Sequence, residues 1–440
     1  MRIFSFIWLG QLISLIGVSM TGFALDISVF KQTGSATQFA FLILTSTVPL
    51  IVMSPIAGTL VDRWDRRWTM IISQICIGLS TVSLIVLVTT GQIEIWHIYL
   101  RNIFTSIIGA FHAPAYKASI TSLVPQEDLP RVSGMVQLAI AIQQILSPLI
   151  AGTLLDIVEV KGILLIDLST LLIALVPLLL VRFGEISQTA NVDEDVQPSS
   201  LWQEILYGWT YLIERPGLPS FLILFTIYQF LVGFVSVLVY PLILSVTNAA
   251  GLGKIAFITG IGMLLGGIVM STWKHSWQNL ISPILIAMSL SGMSIALAGF
   301  RPSIVQMAIA TLFFFTIAPF INGSVQVIFQ TKVAENVQGR VFGLMGAISG
   351  SAVPLAAIFA GPLADRVFEP LMTFDGPWSK ELVGQLIGSG PGRGIGLLFV
   401  IVGFSILITA IIGYQYPTIR DLENNLPDYQ ESSTDNVSLM

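Results

Sequence analysis

Charge is what this sequence has least of. Only 10% of its 440 residues are Asp, Glu, Lys or Arg, whereas 54% are hydrophobic, and the mean hydropathy is +0.85. Soluble domains average about 25% charged residues. Apolar residues spread through nearly every segment cannot all be hidden in a water-soluble core, so the composition describes a polytopic membrane protein. Cysteine is nearly missing: Cys76 stands alone, which excludes an intrachain disulfide. The three histidines are scattered and no Cys/His group has metal-ligand spacing, so no metal and no other cofactor is expected. A basic tract is also lacking, which leaves no footprint for nucleic acid. The net charge of −5 gathers in the tail (Asp421, Glu423, Asp428, Glu431, Asp435) and in "VDEDVQ" at 192–197. "GPGRG" at 390–394 lacks the Lys-Ser/Thr of a phosphate-cradling loop and reads as a turn into the last apolar run. An ATP-driven pump is disfavoured on that ground. A clustered nucleophile, base or metal set would mark an enzyme, and a large soluble domain would mark a sensor; the sequence offers neither.

What the chain does have is apolar runs of bilayer-spanning length, about 20 residues each. Twelve lie near 3–25, 39–61, 69–90, 94–116, 134–156, 162–182, 218–247, 254–272, 279–300, 303–330, 341–364 and 394–416. The first shows no small-residue cleavage pattern and reads as a retained span rather than a signal peptide. The longest polar interruption, 183–217, divides the runs six plus six. The expected organisation is a six-helix bundle over 1–182, a central loop over 183–217, a second bundle over 218–416 and an acidic tail over 417–440. Within the loop, Leu201 to Glu214 reads as an interfacial amphipathic helix anchored by Trp202, Trp209 and Tyr211. Residues 365–393 read as a long Gly- and Pro-rich connection. With both termini cytoplasmic, twelve Lys/Arg fall inside, among them Arg63, Arg66, Arg67 and Arg340. Seven fall outside, Lys31, Arg366 and Arg393 among them, so the positive-inside rule favours this topology.

An internal repeat supports the division. "RVSGM" at 131–135 and "RVFGL" at 340–344 are 209 residues apart, and "GTLLD" at 152–156 matches "GPLAD" at 361–365 at the same offset. "GTLVD" at 58–62 is a third copy. The copies end the second, fifth and eleventh runs. Runs two and five point in opposite directions, as three-helix inverted repeats require.

Twelve runs, a central loop and "GTLVDRWDRR" between runs two and three resemble the major facilitator superfamily. Its loop signature is met by Gly58, Leu60, Asp62, Arg63, Arg66 and Arg67, with Asp65 where the family often has glycine. Run five resembles the motif of drug antiporters through Gly134, Gln143, Ser147, Pro148, Ala151 and Gly152, although three of the family's glycines are replaced. The whole-chain pattern is similar to the enterobactin-exporter and macrolide-efflux branch. The resemblance implies an all-α membrane fold of two pseudo-symmetric six-helix bundles and a monomer in a bacterial inner membrane. It also implies a proton-driven exporter of a small amphipathic compound (a drug, a siderophore or a peptide-like metabolite). An importer of the same fold is the alternative; a non-transporting sensor or a membrane enzyme ranks lower.

Charges in mid-membrane cost about 2.5 kcal/mol or more and mark function by default. They concentrate in run four: Glu94, His97, Arg101, Thr105 and His112 fall within about 80° on one helical face. By the resemblance, runs one, four, seven and ten line the cavity. That adds Gln11 on run one, Tyr228 and Gln229 on run seven, and Asn322 and Gln326 on run ten. Amides and aromatics with few charges suit a bulky, largely apolar substrate. Proton coupling falls to Glu94 or Asp26, with His97 as a further candidate. Asp167 reads as a structural anchor. The loop aspartate, Asp62, ends run two where a helix terminus is already negative, so it needs a positive partner. The resemblance supplies one: the start of run eleven, near Gln338 to Val341, in a gating motif of Gly58, Asp62, Arg63, Arg66, Arg67 and Arg340.

Overall fold

The computed structural model describes residues 2–61, 64–124, 128–181, 209–272 and 280–426. Among them every regular element is helical, and ten helices are long and apolar enough to cross a membrane. Span one is Arg2–Thr33, span two Ala36–Val61, span three Arg66–Thr89 and span four Ile95–Leu123. Spans five and six share one 52-residue helix, Leu129–Leu180, broken at Glu159, where a φ of 57° puts a non-glycine residue in the left-handed region. Ser147 bonds to the Ile16 carbonyl and Thr170 packs at Gly17, so the chain reverses at this break. Span seven is Leu218–Leu244, span eight Ala249–Thr272, span nine Ile281–Phe300 and span ten Ile304–Lys332. Span eleven runs through Glu335–Gly350 and Ala352–Leu363 into a wide π turn, Ala364–Phe368. Span twelve is Arg393–Gln415. Separating spans five and six, and adding span four, brings the ten long apolar runs to twelve crossings. Span four falls short on hydropathy because it carries His97, Arg101, Asn102 and His112.

Helices outrun the apolar stretches that announce them. Span one continues past Leu25 to Thr33 and stops only at Gly34, whose φ of 60° admits the left-handed C-cap. The stretch 365–393 is more structured than a Gly- and Pro-rich connection: it holds the short helices Glu369–Met372 and Leu382–Ile387. Arg393, counted above as a loop charge, is instead the first residue of span twelve and only 2% exposed. A cation at a helix N-terminus is unfavourable. Glu369 offsets it by accepting the Gly392 and Ile395 amides at 3.1 and 3.0 Å. The start of the acidic tail is folded as well. Glu423 accepts the Leu280 and Ile281 amides at 2.8 and 3.0 Å, capping span nine, and Lys332 donates to the Glu423 carbonyl at 3.3 Å. Of the interfacial helix expected over 201–214, residues 201–208 lie outside the described residues; residues 209–213 are helical, and the Tyr211 hydroxyl accepts the Ala334 amide at 2.8 Å.

Spans one to six pack together, as do seven to twelve, and the two halves meet where span two faces eleven and seven, and where span five faces eight. An even number of crossings puts both chain ends on one face, here called the terminal face; the opposite one is the far face. Toward the far face the seam is very tight. A Cβ added at Gly152 would lie 2.6 Å from the Ala249 carbonyl oxygen, and one at Gly253 would lie 2.6 Å from the Pro148 carbonyl oxygen. One at Gly361 would lie 2.6 Å from the Thr37 Cα. Only glycine lets these backbones meet. Toward the terminal face Gly58, Gly134, Gly267, Gly343, Gly346 and Gly350 face open space. The halves are therefore closed against each other on the far side and splayed on the terminal side.

Candidate functional site

Span four carries the arginine that the apolar runs otherwise exclude, and the fold surrounds it with carboxylates. Arg101 is 8% exposed, and Asp26 of span one and Asp167 of span six both act on it electrostatically. Asp167 is fully buried; its Oδ2 accepts Thr21 of span one at 3.0 Å and Thr81 of span three at 3.1 Å. Those bonds tie spans one and three to a carboxylate of span six, so the anchor reading and the charge cluster coincide in Asp167. The cluster is not saturated: Arg101 Nε and Nη2 and Asp167 Oδ1 have no hydrogen-bond partner among the described residues. Such groups cost about 1–3 kcal/mol each when left unpaired, so the cluster is a candidate functional site. Asp26 is half-buried and lies beside Tyr240 of span seven, in the other half of the molecule. Phe23 and Phe39 pack on the same Tyr240 ring, with centroids 5.7 and 5.9 Å away. Asp26 thus links the charge cluster to the seam between the halves.

Other candidates of span four separate along its length. Glu94 precedes the first helical residue and is exposed, with its carboxylate accepting Trp96 Nε1 at 2.9 Å. His97 Nδ1 accepts the Glu94 amide at 3.0 Å, and its ring stacks on Trp96 at 3.7 Å. These residues cap the helix, and Glu94 opens onto a far-face cleft of about 830 Å³ rather than onto Arg101. Thr105 bonds back to the Arg101 carbonyl at 2.9 Å. His112, deeper on the same helix, is half-buried, stacks near Tyr116, and leaves Nε2 without a partner among the described residues.

On span one, Gln11 accepts Gln74 Nε2 at 3.2 Å, and Ser14 donates to the same Gln74 at 3.4 Å, a polar seam with span three. Tyr228 is 2% exposed and faces Ser291 of span nine, so it belongs to the core of the second half; its neighbour Gln229 is half-buried. Asn322 and Gln326 are exposed one turn apart on span ten and give the second half a polar face. The residues of the span-five motif reach two neighbours. Gln143 donates to Ser19 at 2.6 Å and Ser147 to the Ile16 carbonyl at 3.3 Å, both on span one, while Pro148 and Gly152 form the contact with span eight.

Within the loop motif, Asp62 and Arg63 lie outside the described residues. Arg66 Nη1 donates to the Ala118 carbonyl at 2.8 Å, and Arg67 donates to the Leu178 and Leu179 carbonyls at 2.7 and 2.8 Å. Cations at the exposed carbonyls of helix C-termini are favourable. These two arginines therefore staple spans four and six within their own half. Arg340 is exposed in the first turns of span eleven. Sequence reasoning missed the far-face partner of the motif copy at 361–365. Asp365 Oδ1 accepts the Ala36 amide at 2.9 Å, and Oδ2 accepts the Thr37 amide at 2.8 Å and the Ser35 hydroxyl at 2.6 Å. The repeat was the one signal that could have singled it out.

Known proteins resemble the chain along most of its length. The family model described as Major Facilitator Superfamily matches residues 7–357. A macrolide efflux protein A of Streptococcus pyogenes is 30% identical over 371 residues, covering 82% of this chain and 89% of that protein. The enterobactin exporter EntS of Shigella flexneri is 21% identical over 361 residues, covering 81% and 84%. Among solved structures, a bacterial homolog of the human lysosomal transporter Spinster superposes with a TM-score of 0.70 at 15% identity, covering 97% of this chain and 98% of that one.

Proposed function

The chain belongs to the major facilitator superfamily, and from that premise we propose that it is a proton-driven exporter of a small amphipathic compound. The observation that carries the coupling is the Asp26–Arg101–Asp167 cluster. Two carboxylates and one guanidinium leave one negative charge unbalanced, and Arg stays protonated. Uptake of one proton neutralises the cluster, and release restores its charge, where Asp26 acts electrostatically on Tyr240 of the other half. A change of charge in a poorly solvated seam is a strong lever on which face is open. The efflux direction rests on the relatives, which are named for macrolide and enterobactin export. The substrate class rests on the exposed amides of span ten and the aromatic surroundings of Tyr240, which suit a large, weakly polar molecule.

In this reading the terminal face is cytoplasmic, in a bacterial inner membrane, and the chain works as a monomer. Residues 1–182 and 218–416 rock about the central site, with 183–217 joining them. In this reading the gating motif, Arg340 of span eleven included, closes the cytoplasmic side when Asp62 reaches the start of that helix.

The test is efflux of a macrolide from cells with and without the protein. Expression is expected to lower retained macrolide, and a proton uncoupler is expected to abolish the difference. Asp26→Asn is expected to lose at least tenfold of uphill efflux while exchange down a gradient persists. Uncoupler-insensitive efflux, or Asp26→Asn efflux that remains fully uphill, would rule out coupling through this cluster.

A further inference from the structure

We propose that Asp365 is the latch of the far face, holding span eleven to the start of span two when that face is closed. The inference rests on the alternating-access reading but concerns a residue outside the cavity and the proton cluster. Its basis is geometry. Asp365 stands on span eleven, in the second half, and all three of its hydrogen-bond donors, the Ala36 and Thr37 amides and the Ser35 hydroxyl, belong to the start of span two in the first half. Ala36 and Thr37 open span two, so their amides have no carbonyl of their own helix to serve. The carboxylate satisfies them and places a negative charge at the positive end of a helix. The contact is thus a charge-assisted cap supplied across the seam.

Two further features are fitted to it. Gly361, one turn before Asp365, packs on Thr37 so closely that no side chain fits. Beyond Leu363 the helix widens into the π turn Ala364–Phe368, which contains Asp365. Single π turns inside α-helices are frequent at functional sites. The latch also borders the far-face cleft, whose wall includes Ser35, Thr37 and Asp365. Water in that cleft can take over the freed amides when the halves part, so the bonds are breakable. Spans two and eleven are antiparallel, and each ends in the same G-x-L-x-D word. On the far face the word of span eleven caps span two. Asp365 stabilises the far-closed state and is idle in the other.

The experiment uses the full chain in lipid nanodiscs with Cys76→Ser and two spin-label pairs read by pulsed EPR. Gln32→Cys with Lys380→Cys reports the far face; Gln137→Cys with Gly267→Cys reports the terminal face. In the wild type the far pair is expected to be short and the terminal pair long. Asp365→Ala is expected to raise the population with a long far pair and a short terminal pair by on the order of tenfold. Asp365→Asn and Ser35→Ala, which leave part of the cap, are expected to give smaller shifts of the same sign. Opposite movements at the two faces separate a latch from simple destabilisation, which would broaden both. A wild type that switches while Asp365→Ala matches it in both pairs overturns the latch alone. A wild type that keeps one set of distances at every pH and substrate concentration overturns alternating access, and the latch with it.

Discussion

The far and terminal faces are built from the same sequence word and behave in opposite ways. On the far face the glycines of "GTLLD" and "GPLAD", Gly152 and Gly361, sit in backbone contact with the other half. On the terminal face the glycine of "GTLVD", Gly58, meets open space. The aspartates differ too. Asp365 caps a helix across the seam, whereas Asp156 makes only an exposed ion pair with Lys31 at 3.8 Å. A repeated word therefore fixes a shape, a helix end with a small residue one turn earlier. What it does depends on which element the current state puts opposite it. Closure is also unequal in kind. The far face is held by close glycine contacts plus one charge-assisted cap. On the terminal face Arg66 and Arg67 bind the helix ends of their own half and leave the other half free to move.

The largest expected effect comes from spoiling the tight side. Gly152→Val adds atoms where a Cβ already falls 2.6 Å from the Ala249 carbonyl oxygen. Overpacking of this kind costs about 1–3 kcal/mol, here charged to the far-closed state alone. The far-face spin-label pair is expected to lengthen, and macrolide efflux to fall at least tenfold. Gly58→Ala is the matched control on the open side and is expected to leave the far-face distances unchanged. Equal effects of the two substitutions would show that the faces do not differ as described.

Much of this contrast was legible before the fold was known, for physical reasons. Apolar length gives the crossings, since about 20 residues are needed whatever surrounds them. The price of a charge in the membrane singles out Arg101, and the repeat shows that three helix ends are related. What was not legible depends on distant pairing or on where a helix begins. Glu94 and Arg101 share a helical face by spacing, yet span four starts at Ile95, so Glu94 lies outside it at the surface. Tyr228 and Tyr240 both lie on span seven; only packing shows that one faces Ser291 and the other Asp26. Asp365 and its donors are 328 to 330 residues apart, and no local pattern connects a carboxylate to a helix N-terminus at that separation.

A smaller effect is expected where a cap stays within one half. Glu423 caps span nine much as Asp365 caps span two, through two backbone amides at 2.8 and 3.0 Å. Both partners belong to the second half, which in the proposed cycle moves as a body. Loss of a cap of this sort costs about 1 kcal/mol. Glu423→Ala is therefore expected to lower the melting temperature of the purified protein while leaving both spin-label pairs where they were. A shift in either pair would mean that the tail takes part in the switch.

The smallest effect belongs to the copy of the word that ends span five. Lys31 and Asp156 are each about half exposed, at 49% and 48%, and both lie in the first half. Exposed pairs contribute about 0–1 kcal/mol, because water competes for both charges and two long side chains lose freedom. Lys31→Ala is expected to change neither efflux nor melting measurably. Set beside Asp365→Ala, it isolates what makes an aspartate at this position matter. The two residues share a sequence word and a face of the membrane, and both meet a positive partner. Only one of the contacts joins the two halves, which separate at this face in the proposed cycle, so only that one can bias the proposed switch.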